Sequence, residues 1–223
     1  MKFFNNKSVF SFALGIIGLY YLGESFSNFK VNLVSPVWFI FGLTLFLSFS
    51  AFNNNELSQN AIFDKRRVLE QGEYYRLLTH GFLHVDFVHL LFNGFAFYNF
   101  APFLYRALEN NTSHAGSLFL LIYLGATIGA SVPDLKYKKG DYYAVGASGA
   151  ISALLALVVV LYPKLSMGII FLPIFLPGPV FLLIFMLVSY QLSKGNSKIG
   201  HLTHLSGTVI GIIIGFALKL ILF

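Results

Sequence analysis

Apolar and polar positions divide this chain into long greasy runs separated by short charged stretches. A membrane-crossing helix needs roughly 20 mostly apolar residues. By that measure the candidate helices are about 8–23, 36–52, 86–105, 116–132, 147–162, 179–193 and 202–222. The first follows Lys2 and Lys7, lacks a small-x-small cleavage site and reads as an uncleaved anchor helix. The longest polar stretch, 53–82, holds Asp64, Lys65, Arg66, Arg67, Glu70, Glu73 and Arg76. A second polar stretch, 133–143, reads as a loop opened by Pro133, and IIFLPIFLPGP, broken by Pro173, Pro177 and Pro179, reads as an interfacial connector. Within the runs apolar residues are continuous and do not alternate with polar ones, which selects helices over a membrane barrel. The expected fold class is therefore all-α and polytopic.

Composition strengthens this reading. The chain is 57% hydrophobic and only 11% charged, too few polar groups to cover a soluble domain of 223 residues. Its mean hydropathy is +0.73. The formal net charge of +6 sits in short clusters between apolar runs, as loops flanking a bilayer would carry it, and no phosphate loop or nucleic-acid module accompanies it. The lipid bilayer is the expected partner and nucleic acid is not. With no cysteine, structural disulfides and thiolate chemistry are excluded.

Strongly polar side chains inside membrane runs are costly and mark function. Three clusters stand out: THGFLHVDFVHLLFN with His80, His84, Asp86, His89 and Asn93; GASG around Ser148; and GHLTHLSGTVIG with His201, His204, Gly207 and Gly211. At about 100° per residue, His89 and Asn93 fall within about 40° of each other, while His84 lies far round that helix or just outside it. His204, Gly207 and Gly211 share a face within about 60°. After Ser148, the residues Gly149, Ser152, Ala153 and Ala156 form a second small-residue stripe. Two such stripes in contact would bring Ser148 and His204 within hydrogen-bonding reach, a nucleophile and its base. Taken singly, each feature has a plainer reading: small-residue stripes serve packing, and a lone histidine or Asn93 serves as interhelical hydrogen-bond glue. The soluble-hydrolase G-x-S-x-G elbow does not fit, because Ala150 holds its last glycine position.

In combination and in this order, YYRLLTHGFLHVDFVHLLFN, GASG and HLSGTVIG resemble the signature of the rhomboid family of intramembrane serine proteases, from about residue 36 to 222. The resemblance implies a six-helix core over 36–223, with 1–35 as an additional N-terminal anchor segment, and an endopeptidase, free of metal and cofactor, that cuts transmembrane protein substrates with a Ser148–His204 dyad. It also implies an oxyanion hole of His89, Asn93 and the Ser148 N–H. Supporting roles fall to His84, to the motif glycines Gly146 and Gly149, to the close-packing glycines Gly207 and Gly211, and to Arg76 of an interfacial first loop. Two positions depart from the pattern. Tyr75 stands where many members carry tryptophan, and Ser152 stands where some carry a tyrosine that stacks on the catalytic histidine. The implied location is a bacterial inner membrane with the active-site end facing outward. The cations at that end, among them Lys65, Arg66, Arg67, Lys136, Lys138 and Lys139, pull against this by the positive-inside rule. Competing readings are a proteolytically inactive binder of membrane helices and a His-rich membrane metalloprotein. The histidine spacings match no zinc-protease motif such as H-E-x-x-H.

Overall fold

The computed structural model describes residues 35–169, 172–194 and 200–223. The anchor segment expected at 8–23, and with it the boundary at residue 35, lies outside these residues. The chain enters helix α1 (Pro36–Phe52) through Ser35, whose hydroxyl accepts from Val37 N, with Pro36 in the first turn where its missing N–H costs nothing. The polar stretch that follows folds into short pieces: α2 (Asn55–Ala61), β1 (Phe63–Asp64), α3 (Lys65–Gln71), α4 (Arg76–Thr79) and a 3-10 turn (His80–Phe82). Asp64 caps α3 through Arg67 N at 3.1 Å, and Gly72 ends it at φ 68°, the left-handed conformation that glycine tolerates best. Then come α5 (Phe87–Glu109), α6 (Ala115–Tyr137), β2 (Tyr143–Ala144), α7 (Ser148–Leu161), β3 (Ser166–Ile169), β4 (Leu172–Pro177), α8 (Gly178–Ser193) and α9 (His201–Ile221).

Among the described residues, α5, α6 and α9 are long and apolar enough to cross a membrane, while α1, α7 and α8 are shorter apolar helices. Large apolar side chains such as Phe46, Leu121, Leu183, Ile213 and Leu220 point outward, which suits lipid rather than water. In contrast α7 is apolar nearly all round and buried on every face, the mark of a central helix. Its 14 residues span only about 21 Å, against a hydrocarbon core of about 30 Å. A helix this short cannot reach both faces of the hydrocarbon core, and Ser148 stands at its N-terminus.

Among the described residues, α7 and α9 make the closest helix-to-helix contact. A β-carbon added to Gly207 would land on the carbonyl oxygen of Gly149, and one added to Gly211 on that of Ala153. One at Gly215 would come within 2.9 Å of Val160 Cβ. The partners ascend together, so the two helices run parallel with their backbones touching.

Two sequence expectations need correction. Pro133 opens no loop, because α6 continues through it to Tyr137. A proline inside a membrane helix is tolerated where packed neighbours hold the backbone, and here Ser131 and Asp134 on either side of it are fully buried in the bundle. The proline-broken stretch is a connector before a short helix, as expected, and contains an antiparallel ribbon pairing Ser166 with Pro177, Met167 with Leu176 and Gly168 with Phe175. Prolines are accommodated because both strands of a two-stranded ribbon are edges. With the β1–β2 pair, the fold is mostly helical with two small sheets rather than strictly all-α.

Candidate active site

The polar stretch after α1 is held by one buried arginine. Arg76, with no exposed surface, donates Nε to Glu73 Oε2 at 2.6 Å and Nη1 to the carbonyls of Ile62 and Gln59 at 2.7 and 3.0 Å. Arg67 also pairs with Glu73, at 2.8 Å, and Thr79 Oγ1 donates to Ala61 O at 2.7 Å. This scaffold grips the strand that leads to Ser148. Strand β1 pairs with β2, Phe63 opposite Ala144 and Asp64 opposite Tyr143, and Gly146 N donates to His80 O at 3.0 Å. The His80 ring is buried, which pushes its pKa down to about 4, and Nδ1 is 2.8 Å from Arg76 O, so the neutral ring donates there.

Ser148 begins α7, so its N–H has no acceptor within the helix. Its Oγ lies 2.8 Å from His204 Nε2 in the first turn of α9. Ser152, one turn below, bends its hydroxyl back to Ser148 O at 2.7 Å and leaves the histidine ring free. That ring is held instead from α8: Phe185 stacks on His204 with centroids 6.2 Å apart and planes 22° apart, and His201 meets it edge-on at 5.8 Å. Behind it, Thr208 Oγ1 donates to His204 O at 2.8 Å.

Helix α5 supplies the opposite wall. Asp86 caps it by accepting from His89 N at 2.7 Å, which puts His89 and Asn93 on successive inward turns. Asn93 Nδ2 donates one hydrogen to His89 O at 3.1 Å and keeps the other free. Gly146, at φ 126°, lets the loop close over the His89 ring, since a β-carbon there would sit 2.8 Å from Cε1. Gly149, next to the serine, is likewise confined: its β-carbon would meet Thr203 and Ala130 at 2.8 and 2.9 Å.

His84 lies outside α5, at its approach, with its ring edge-on to His89 at 4.9 Å. Ser48 of α1 donates to Phe82 O at 3.1 Å, which uses its only hydrogen. The 3.0 Å contact between Ser48 Oγ and His84 Nδ1 must then be donated by His84, which puts the proton on Nδ1, while Nε2 is buried without a hydrogen-bond partner among the described residues. Burial, and after it the neighbouring His89, pushes the pKa of His84 down to about 3, so the ring is neutral.

Ser148, His204, His89, Asn93 and His84 all border one cavity of about 830 Å³ at the polar end of the bundle. The arrangement offers a nucleophile hydrogen-bonded to a base, with a helix N-terminal N–H, an amide and an imidazole in the same chamber. Among the described residues no three histidine, aspartate or glutamate side chains come together as a metal ion would require. Arg76 stands away from the cavity wall and acts through the loop it holds. The sequence reading missed Ser48, Glu73 and Phe185. Ser48 was visible as a hydroxyl in an apolar run, and Glu73 by its spacing to Arg76. Phe185, one of 26 phenylalanines, carried no signal.

Comparison with known proteins agrees with this architecture. The Rhomboid domain family matches residues 71–220. The chain is 31% identical over 199 residues to the rhomboid protein YdcA of Bacillus subtilis (strain 168), covering 86% of this chain and 92% of that one. It is 29% identical over 187 residues to RHOMBOID-like protein 12, mitochondrial, of Arabidopsis thaliana, across 76% of this chain and 53% of the relative. Rhomboid protease GluP of Bacillus subtilis is 30% identical over 153 residues, 69% of this chain and 28% of GluP. The matched region takes in α5, α6, α7, α8 and α9, and with them every wall of the cavity but the one from α1 and α2. This chain is an integral membrane protein belonging to the rhomboid family.

Proposed function

We propose that the chain is an intramembrane serine endopeptidase that hydrolyses peptide bonds in or near transmembrane segments of other membrane proteins. The observation that carries this is the 2.8 Å contact between Ser148 Oγ and His204 Nε2 inside a cavity opening at the polar end of the bundle. In the forward step Ser148 Oγ attacks the carbonyl carbon while His204 Nε2 takes the hydroxyl proton. The tetrahedral oxyanion is received by the Ser148 N–H, the free Asn93 Nδ2 hydrogen and the His89 imidazole. His204 returns the proton to the leaving amine, and water then releases the acyl group from Ser148 by the same steps. No metal or cofactor enters this scheme. A substrate helix shields its peptide bonds, so cleavage favours segments that unwind locally, such as those with glycine or proline. The relative GluP is named a rhomboid protease, which supports the assignment. The proposed architecture is a six-helix core, α1 and α5 to α9, in a bacterial inner membrane.

The test is cleavage of a single-span substrate in proteoliposomes by wild type, Ser148→Ala and His204→Ala. Loss of cleavage in both folded variants supports the dyad; equal cleavage by all three places the activity elsewhere. No cleavage by wild type across a panel of substrates supports a helix binder instead.

A further inference from the structure

Behind the Ser148–His204 pair sits a second polar contact that the proposed mechanism does not use. Asp134, at the end of α6, is fully buried, and its Oδ2 accepts from Thr203 Oγ1 at 2.6 Å across 69 positions of sequence. Its other carboxyl oxygen, Oδ1, is buried without a protein partner. A buried acid is costly in a membrane bundle, and here it is spent on a residue that is bonded to His204 and packed against Gly149, the neighbour of Ser148. Thr203 directly precedes His204, and its methyl group packs where a β-carbon on Gly149 would fall, beside Ser148. Tyr142, on the approach to the nucleophile, completes the cluster. Its hydroxyl lies 3.7 Å from where a β-carbon on Gly200 would be, and Thr203 Oγ1 lies 3.1 Å from the same point. Burial and the Asp134 charge both raise the Tyr142 pKa, which keeps that hydroxyl protonated.

Among the described residues no side chain caps α9, since Gly200 at its N-cap offers none, and apart from the Ser148–His204 contact itself the Asp134–Thr203 bond is the hydrogen bond that ties its first turn to a neighbouring helix. Rotation of that turn would swing His204 away from Ser148. We infer that Asp134 and Thr203 are positioning residues: the carboxyl fixes the Thr203 hydroxyl, and Thr203 fixes the angle at which His204 meets Ser148. The inference rests on the proposed dyad. It differs from simple helix-to-helix glue in what it controls, namely the reactivity of Ser148 rather than the cohesion of α6 and α9.

The experiment measures the second-order rate at which a fluorophosphonate reporter labels the serine, together with KM and kcat on a model substrate and the thermal midpoint in detergent. All readings are taken well below the lowest midpoint. Thr203→Val keeps the shape and removes the hydroxyl, Thr203→Ser keeps the hydroxyl, Asp134→Asn keeps an acceptor oxygen, and Asp134→Ala removes it. Small misplacement of a reacting group costs about tenfold to a hundredfold in rate. Thr203→Val and Asp134→Ala are expected to lose about that much in labelling rate and kcat with KM unchanged. Thr203→Ser and Asp134→Asn are expected to stay within a few-fold of wild type. The inference is overturned if Thr203→Val labels at the wild-type rate. It is equally overturned if the two conservative variants fall as far as the disruptive ones. Should Asp134→Ala fail to fold, the near-isosteric Thr203→Val still decides. Failure of the dyad itself looks different: the reporter then labels Ser148→Ala as well as wild type, or labels neither, and the inference falls with it.

Discussion

Arg76 brings a full positive charge into a site closed to solvent, and Glu73 supplies the answering charge at 2.6 Å. Removing one partner of a buried pair leaves the other uncompensated, at about 3–5 kcal/mol. Glu73→Ala should therefore lower the thermal midpoint sharply in detergent, more than Arg67→Ala, whose side chain is partly exposed. Burial alone would raise the Glu73 carboxyl, but the hydrogen bonds and charges of Arg76 and then Arg67 outweigh it and hold it below the ordinary 4.5. The stability it contributes is thus fully present above that value and is lost as pH falls through the lowered one. A wild-type midpoint that drops on acidification below pH 4.5, with a flatter profile for Glu73→Gln, is the expected result. Phe185 acts on a smaller scale. An aromatic stack contributes about 0.5–1.5 kcal/mol beyond its area, so losing it should cost a few-fold to about tenfold in cleavage rate. Phe185→Ala against Phe185→Tyr measures this, and equal rates for the two would show that the stack does not hold His204.

Among the elements, the α7–α9 seam has the least room. Gly207→Ala would drive a methyl group onto Gly149 O, and such overpacking costs about 1–3 kcal/mol. Because His204 lies one turn away on the same helix, cleavage should fall further than stability does. Gly42→Ala on α1 is the control: nothing lies within 4 Å of its β-carbon position, so the midpoint should hold or rise. This seam was legible in the sequence because close helix contact demands small residues at fixed spacing, and Gly207 and Gly211 have it. His89 and Asn93 were legible for a similar reason, since polar groups in an apolar run at helical spacing announce a face. The extent of α6 was not, because Pro133 is a breaker in water and a tolerated residue inside a packed membrane bundle. The β3–β4 ribbon was hidden by its prolines, and Phe185 by the absence of any local rule linking a phenylalanine on α8 to a histidine on α9. Long-range pairings of ordinary residues leave no periodic trace.

At the scale of the whole molecule, the helices fix which loops share a side of the membrane. The cavity is bordered by Phe52 at the end of α1, Asp86 before α5, Tyr142 after α6, Ser148 and Gly200, so these all lie at one end. The loop between α5 and α6, around Asn111, and the turn after α7, at Lys164, must then lie at the other. The cavity end carries Lys65, Arg66, Arg67, Lys136, Lys138, Lys139 and Lys194, against Arg106, Lys164 and Lys219 at the opposite end. By the positive-inside rule that asymmetry draws the cavity end toward the cytoplasm, whereas the arrangement implied by the family resemblance faces it outward. One experiment decides between them, and the chain is well suited to it because it contains no cysteine. Single cysteines at Asn55, Lys139 and Asn111, each tested with an impermeant maleimide in intact and in permeabilised cells, report sidedness without background labelling. Outward sites label in intact cells and inward sites only after permeabilisation; positions 55 and 139 are expected to fall in one class and position 111 in the other. Labelling of all three in intact cells, or of all three only after permeabilisation, would contradict the helix order on which the placement of Ser148 beside His204 depends.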